Sequence, residues 1–166
     1  MDLSEARLAA AAAVHRLIER SETFATAESL TGGLVAATVV EIPGVSAVYR
    51  GGFVVYATDL KASLAGVPEV LLDERGPVDP QVAVALAAGC RERCGADWGL
   101  ATTGVAGPDP QDGKPVGLVY VAVAGAAGSA VRELKLDGNR ESIRTESVTS
   151  VLRLLSDTLR EASELA

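Results

Sequence analysis

An α/β domain built on a mixed sheet is what this 166-residue sequence predicts, and three observations predict it. Apolar runs of strand length alternate with longer helix-patterned stretches. The connections between the early strands contain whole helices, so those strands run parallel. The last two strands, at 116–124 and 130–136, are joined only by a short turn at 125–129, which makes them an antiparallel hairpin.

Each element follows in order. Residues 3–20 read as an alanine-rich helix, with Leu8, Ala11, Ala12, Leu17 and Ile18 as its apolar positions. A strand at 23–27 meets a tight turn and then a helix from 34 to about 40. Thr31 is the better N-cap for that helix, because the periodic run begins just after it. Pro43-Gly44 breaks the chain. A second strand spans 51–57 and ends near Tyr56. Asp59 then caps a short helix that carries Lys61. Gly76-Pro77 is a turn, and Pro80 suits the first turn of a helix running to about residue 93. A third strand at 98–103 ends in an irregular Gly/Pro-rich loop, 104–110. The hairpin follows, and an amphipathic helix from about 140 to 161 closes the chain.

Composition narrows the function. The chain is 48% hydrophobic and 22% charged, ordinary for a globular protein, and its length fits one domain, 1–166. A formal charge of −7 without a basic run opposes binding to nucleic acid. No apolar run is long enough to span a bilayer. The first seven residues carry acids ahead of the apolar stretch, unlike a signal peptide, so a cytoplasmic location is expected. Cys90 and Cys94 are spaced to share a helix face, but they lack the further ligands a structural zinc needs, and they read as packing residues. The single histidine, His15, reads as a surface or interface residue. No metal is expected.

The stretch Ala27-Glu28-Ser29-Leu30-Thr31-Gly32-Gly33 carries the most chemistry. It puts a serine between a strand and a helix N-terminus, beside glycines whose N–H groups can approach a ligand closely. Such a serine can attack a carbonyl while nearby N–H groups hold the oxyanion. Without Gly-x-Ser-x-Gly around Ser29, and with His15 remote in sequence, serine plus lysine is the simplest hydrolytic pair. Lys61, early on its helix, is disfavoured as a cation there, and burial would lower its pKa further, although a solvated surface position is the commoner one for lysine. The neutral amine can serve Ser29 as a base. Residues 101–109, with Thr103 and Gly104, offer hydroxyl and N–H groups at a strand end. Arg140, in the first turn of the last helix, opposes the helix dipole, as does a residue placed to hold an anion. Arg144 lies one turn on, on the same face. Both also suit a solvated role beside Glu141 or Asp137.

Together these segments resemble the CinA C-terminal domain family, whose members include nicotinamide-mononucleotide amidases. The matching stretches are Thr26-Ala27-Glu28-Ser29-Leu30-Thr31-Gly32-Gly33, Arg50-Gly51-Gly52-Phe53-Val54-Val55-Tyr56 with Lys61, and Thr103-Gly104-Val105-Ala106-Gly107-Pro108-Asp109. Lys114-Pro115-Val116-Gly117 and Gly138-Asn139-Arg140 complete the ordered set. The resemblance implies a three-layer α/β/α sandwich with a five-stranded mixed sheet, one strand antiparallel. It implies conversion of nicotinamide mononucleotide to nicotinate mononucleotide and ammonia, in pyridine-nucleotide salvage and without a cofactor. Ser29 is then the nucleophile, Lys61 its base and Tyr56 a supporting hydroxyl. Thr31, Gly32, Gly33, Thr103, Gly104 and Arg140 are expected to bind substrate, with N–H groups at the Gly32-Gly33 helix start holding the oxyanion. The expected partner is a small-molecule nucleotide, not nucleic acid or membrane, and a homo-oligomer is compatible with the sequence.

Three positions depart from the family pattern. Leu30 stands where Cys is frequent, Asp79 where Ser is common and Asn139 where Asp is common. The larger N-terminal domain of full-length family members has no counterpart in these residues, and its activity is expected to be absent. Alternatives are a non-catalytic nucleotide-binding or protein-partner domain of the same fold, and hydrolysis of another small amide.

Overall fold

The computed structural model describes residues 1–165. Its strands are β1 (Phe24–Glu28), β2 (Tyr49–Val54), β3 (Trp98–Gly104), β4 (Leu118–Gly125) and β5 (Gly128–Lys135), arranged β2-β1-β3-β4-β5 in one sheet. β1 is parallel to β2 and to β3, while β4 is antiparallel to both β3 and β5. The sheet is therefore mixed, with β4 as the one reversed strand, as the sequence and the family resemblance predict.

Strand alternation splits the core in two. Phe24, Leu100, Val119, Val121 and Val123 face α1 (Ser4–Arg20), α2 (Leu34–Val39) and α6 (Arg140–Glu164). The opposite face, with Ala25, Ala27, Ala101, Ala122 and Ala124, packs on α5 (Pro80–Arg93) and receives Val55, Ala65 and Leu72. The layers are thus helix, sheet, helix. Small residues on the second face let α5 come close. A methyl group on Gly99 would run into the carbonyl of Ala87.

Two short helices lie between β2 and α5: α3 (Thr58–Ser63), and α4 (Glu69–Arg75), which the sequence reading did not separate from its turn. In α1 the buried face differs from the one expected. Ala6, Ala9, Ala10, Ala13, Val14 and Leu17 are buried, whereas Leu8 is 73% exposed, and Ala12 and Ile18 also lie at the surface. Small side chains face α6, the helix packed against α1, and alanine permits closer approach of two helix axes than leucine does. Asp59 lies inside the first turn of α3 and makes no cap; the N-cap there is Ala57. Among the described residues no helix is long and apolar enough to cross a membrane.

Candidate active site

The carboxyl ends of the three parallel strands converge. β1 lies between β2 and β3. The segment after β1 turns into α2 on one face of the sheet, and the segments after β2 lead to α5 on the other. A crevice opens where neighbouring strands send their connections to opposite faces. Ser29, immediately after β1, stands at this point.

Lys61 meets Ser29 there. Its Nζ is 3.0 Å from Ser29 Oγ, 2.8 Å from the Val55 carbonyl and 3.2 Å from the Tyr56 carbonyl. The side chain is 1% exposed, so the surface role common for lysine does not apply. Burial lowers its pKa from the usual lysine value to about 8. The three neighbours define what the amine does when neutral. Two N–H bonds go to the two carbonyls, and the lone pair is left for the Ser29 hydroxyl proton.

β2 provides the two carbonyls by running past its last ladder residue. The Val55 N–H donates to the Glu28 carbonyl at 2.9 Å, which holds this segment beside Ser29. Tyr56 lies beyond β2 rather than at its end, and its side chain is 59% exposed. Its hydroxyl accepts from Arg140 Nη2 at 3.0 Å. Tyr56 thus meets Lys61 through its main chain and Arg140 through its side chain.

A cavity contains Ser29 and Lys61 and is bordered by Leu30, Tyr56, Val78, Thr103, Gly104, Ala106, Asp109 and Arg140. Thr103 is buried, and its hydroxyl donates to the Pro77 carbonyl at 2.7 Å, so it fixes the wall before α5. Asp79 caps α5 by accepting from Gln81 and Val82 N–H groups, and pairs with Arg75 at 2.9 Å. Asn139 caps α6 by accepting from Ser142 N–H at 2.9 Å. These two departures from the family pattern are both helix caps, a task that Ser, Asp and Asn share. Leu30 is buried in the core below the turn.

Arg140 does not pair with Glu141 or Asp137. It donates to the Gly107 carbonyl and to Tyr56, tying the β3–β4 loop to the segment after β2. Arg144 likewise has no carboxylate partner among the described residues. It reaches the Leu30 and Thr31 carbonyls.

The helix start is occupied from within. Glu28, 2% exposed, accepts from Val35 N–H at 2.8 Å, Ala36 N–H at 3.1 Å and the Thr31 hydroxyl at 2.6 Å. Glu28 therefore caps α2, and Thr31, expected as the cap, instead joins Glu28 to Thr102. Gly33, at φ 100°, is the N-cap residue in a conformation suited to glycine. Thr31, Gly32 and Gly33 do not border the cavity. The Gly32 N–H is also committed, to the Ser29 carbonyl at 3.0 Å. The N–H groups of Leu30, Thr31 and Gly33 donate to no protein acceptor among the described residues. Sequence reasoning passed over Glu28 as a functional residue. The available signal was a lone acid ending an otherwise uncharged strand, six residues before a helix.

Cys90 is buried, its thiol bonded to the Ala87 and Leu100 carbonyls and pushed by burial up to about 12. His15 is exposed on α1. Neither reaches the cavity.

Comparison with known proteins adds a lineage. Residues 6–159 match the model of the CinA C-terminal domain. A CinA-like protein of Frankia casuarinae is 52% identical over 139 residues, 84% of this chain and 32% of its own length. A CinA-like protein of Geobacter sulfurreducens is 46% identical over 142 residues, 84% of this chain and 34% of its own. The chain spans about a third of the length of these relatives. The crystal structure of the competence/damage inducible protein CihA from Agrobacterium tumefaciens superposes with a TM-score of 0.89 at 35% identity, covering 96% of this chain and 99% of that one.

Proposed function

The chain belongs to the CinA C-terminal domain family, and from that premise we propose that it is an amidohydrolase using a Ser29–Lys61 pair, with nicotinamide mononucleotide as substrate. One observation carries the reaction class: the buried Lys61 amine lies 3.0 Å from Ser29 Oγ, with its other two contacts both carbonyl acceptors. The family resemblance carries the substrate.

The steps follow from that arrangement. Ser29 Oγ attacks the carboxamide carbon as its proton passes to Lys61 Nζ. The tetrahedral oxyanion is held by the N–H of Leu30, which follows Ser29 and borders the cavity. Lys61 returns the proton to the leaving nitrogen, the C–N bond breaks, and ammonia departs. Water, deprotonated by Lys61, then attacks the acyl ester and releases the carboxylate and the Ser29 hydroxyl. The pyridinium ring withdraws electrons from the carboxamide and favours the first attack. Thr103 and Gly104 shape the wall facing Ser29, and Arg140 stands at the mouth to receive the substrate's phosphate.

The test is ammonia release from nicotinamide mononucleotide by chelator-treated protein. The wild type should turn over. Ser29→Ala should lose activity by a factor on the order of 10⁶, as nucleophile removal does in serine hydrolases, while keeping its fold and its affinity for the nucleotide. Near-normal ammonia release by Ser29→Ala would remove Ser29 from the mechanism.

A further inference from the structure

Arg144 is a cation beside the nucleophile that the steps above leave without a task. It sits one turn after Arg140 on α6 and is half-buried. Its Nε donates to the Leu30 carbonyl at 2.9 Å and its Nη2 to the Thr31 carbonyl at 3.1 Å. The guanidinium also lies over Gly32, where a Cβ would be 3.7 Å from Nη2. A half-buried guanidinium bonded only to neutral main-chain oxygens fixes backbone geometry instead of balancing charge.

The two carbonyls it holds belong to the peptides just after the nucleophile. In a trans peptide the N–H points opposite to the C=O, and the only cis bond among the described residues is Gly107-Pro108. Drawing the Thr31 carbonyl toward α6 therefore turns the Gly32 N–H away from α6, and that N–H donates to the Ser29 carbonyl. With its carbonyl so held, the Ser29–Leu30 peptide turns the Leu30 N–H the opposite way. From the other side Glu28 holds the Thr31 hydroxyl and the α2 N–H groups. Of the N–H groups that this two-sided clamp leaves free in the turn, that of Leu30 belongs to a residue bordering the cavity.

We propose that Arg144 is a positioning residue that locks the peptides after Ser29, so that the N–H of Leu30, the residue of this turn that borders the cavity, stands ready for the oxyanion formed on Ser29. The inference rests on Ser29 being the nucleophile and is independent of which amide is the substrate.

A fluorophosphonate tests it, because phosphonylation of Ser29 develops charge on a phosphoryl oxygen that the same N–H must hold. The second-order labelling rate of Ser29 is measured across pH 6–10 for wild type, Arg144→Met and Arg144→Lys, with folding checked by circular dichroism. Arg144→Met should label about 10- to 100-fold more slowly at every pH. The pH midpoint set by Lys61 should not move. Arg144→Lys, which can hold one carbonyl, should label at an intermediate rate, and with nicotinamide mononucleotide its loss should fall on kcat rather than KM. Wild-type labelling by Arg144→Met, or by Arg144→Lys if the Met variant does not fold, overturns the proposal. So does a midpoint that shifts together with the rate, which marks general loosening around Lys61. Failure to label wild-type Ser29 overturns both this proposal and the nucleophile assignment. Labelling that follows the stated order without turnover of the nucleotide supports the clamp and overturns only the substrate assignment.

Discussion

Lys61 joins two demands that pull against each other. A buried amine near pKa 8 is a usable base, and the same burial makes its protonated form costly. Turnover should therefore rise with pH and level off above about 8, and Lys61→Met should abolish it, with chelators leaving the wild type unaffected. A pH-independent rate would remove Lys61 as the base. Stability should carry the complementary signature. Below pH 8 the folded and unfolded forms are both protonated, and the cost of the buried cation is felt in full. Between 8 and the ordinary lysine value the unfolded chain holds a proton that the folded one has lost, so stability gains with rising pH. Relative to Lys61→Met, wild type should thus improve by up to about 3 kcal/mol across that window, read as denaturant midpoints at several pH values. Arg140 makes a different case. Its acceptors are a neutral carbonyl and a phenol, and a phosphate would bind a guanidinium more strongly than either. Arg140→Ala should weaken use of nicotinamide mononucleotide about tenfold to a hundredfold and leave nicotinamide riboside, which lacks the phosphate, nearly unchanged. Equal losses on both would move Arg140 out of phosphate binding. Ser29 was legible from its strand–turn–helix setting. The burial of Lys61 was not, because the Val55 and Tyr56 carbonyls that hold it come from a path beyond β2 that local pattern does not describe.

Helices and strands differ in how plainly they announced themselves. The β strands stood out because β-branched and small apolar runs end at Gly and Pro. α5 stood out through Pro80. The inward face of α1 did not, since an alanine-rich helix carries little periodic contrast and its burial was decided by α6. The cap of α2 misled for a related reason. A threonine just before a helix is the usual cap, but Glu28 brings two acceptor oxygens from the end of β1 and takes that place. Caps at the other helix starts lead to a direct comparison. Asp79→Ser keeps an N-cap oxygen and should cost little, whereas Asp79→Ala should destabilise by about 1 kcal/mol. Denaturant titration of the two variants checks the order. Asn139→Asp should be nearly neutral by the same measure. Equal loss in Asp79→Ser and Asp79→Ala would show that the Arg75 pair, not the cap, is what the position supplies.

At the scale of the whole molecule, the candidate site gathers at one end of the sheet. Ser29, the Val55 and Tyr56 carbonyls and Thr103 all lie at the carboxyl ends of β1, β2 and β3. This placement was legible once the parallel order was, because connections after successive parallel strands leave from the same edge. What joins α6 to that edge was legible for Arg140 only through the family resemblance and for Arg144 not at all, since it depends on where the chain goes after the β4–β5 hairpin. The single tryptophan marks the opposite end. Trp98 begins β3, is buried, and donates from its indole nitrogen to Glu22 at 3.1 Å. β3 is seven residues long, so Trp98 stands roughly 20 Å from the site at about 3.3 Å per strand residue. Its emission should report unfolding and be nearly blind to occupancy. In Ser29→Ala, which by the proposed mechanism should bind without turning over, saturating nicotinamide mononucleotide should leave the native spectrum of Trp98 in place. It should also raise the unfolding free energy that Trp98 reports, by about 2.7 kcal/mol at a ligand concentration a hundredfold above Kd. A ligand-induced shift in native emission would mean that binding reorganises the far end of the sheet. No gain in unfolding free energy would mean that the nucleotide does not bind the folded protein.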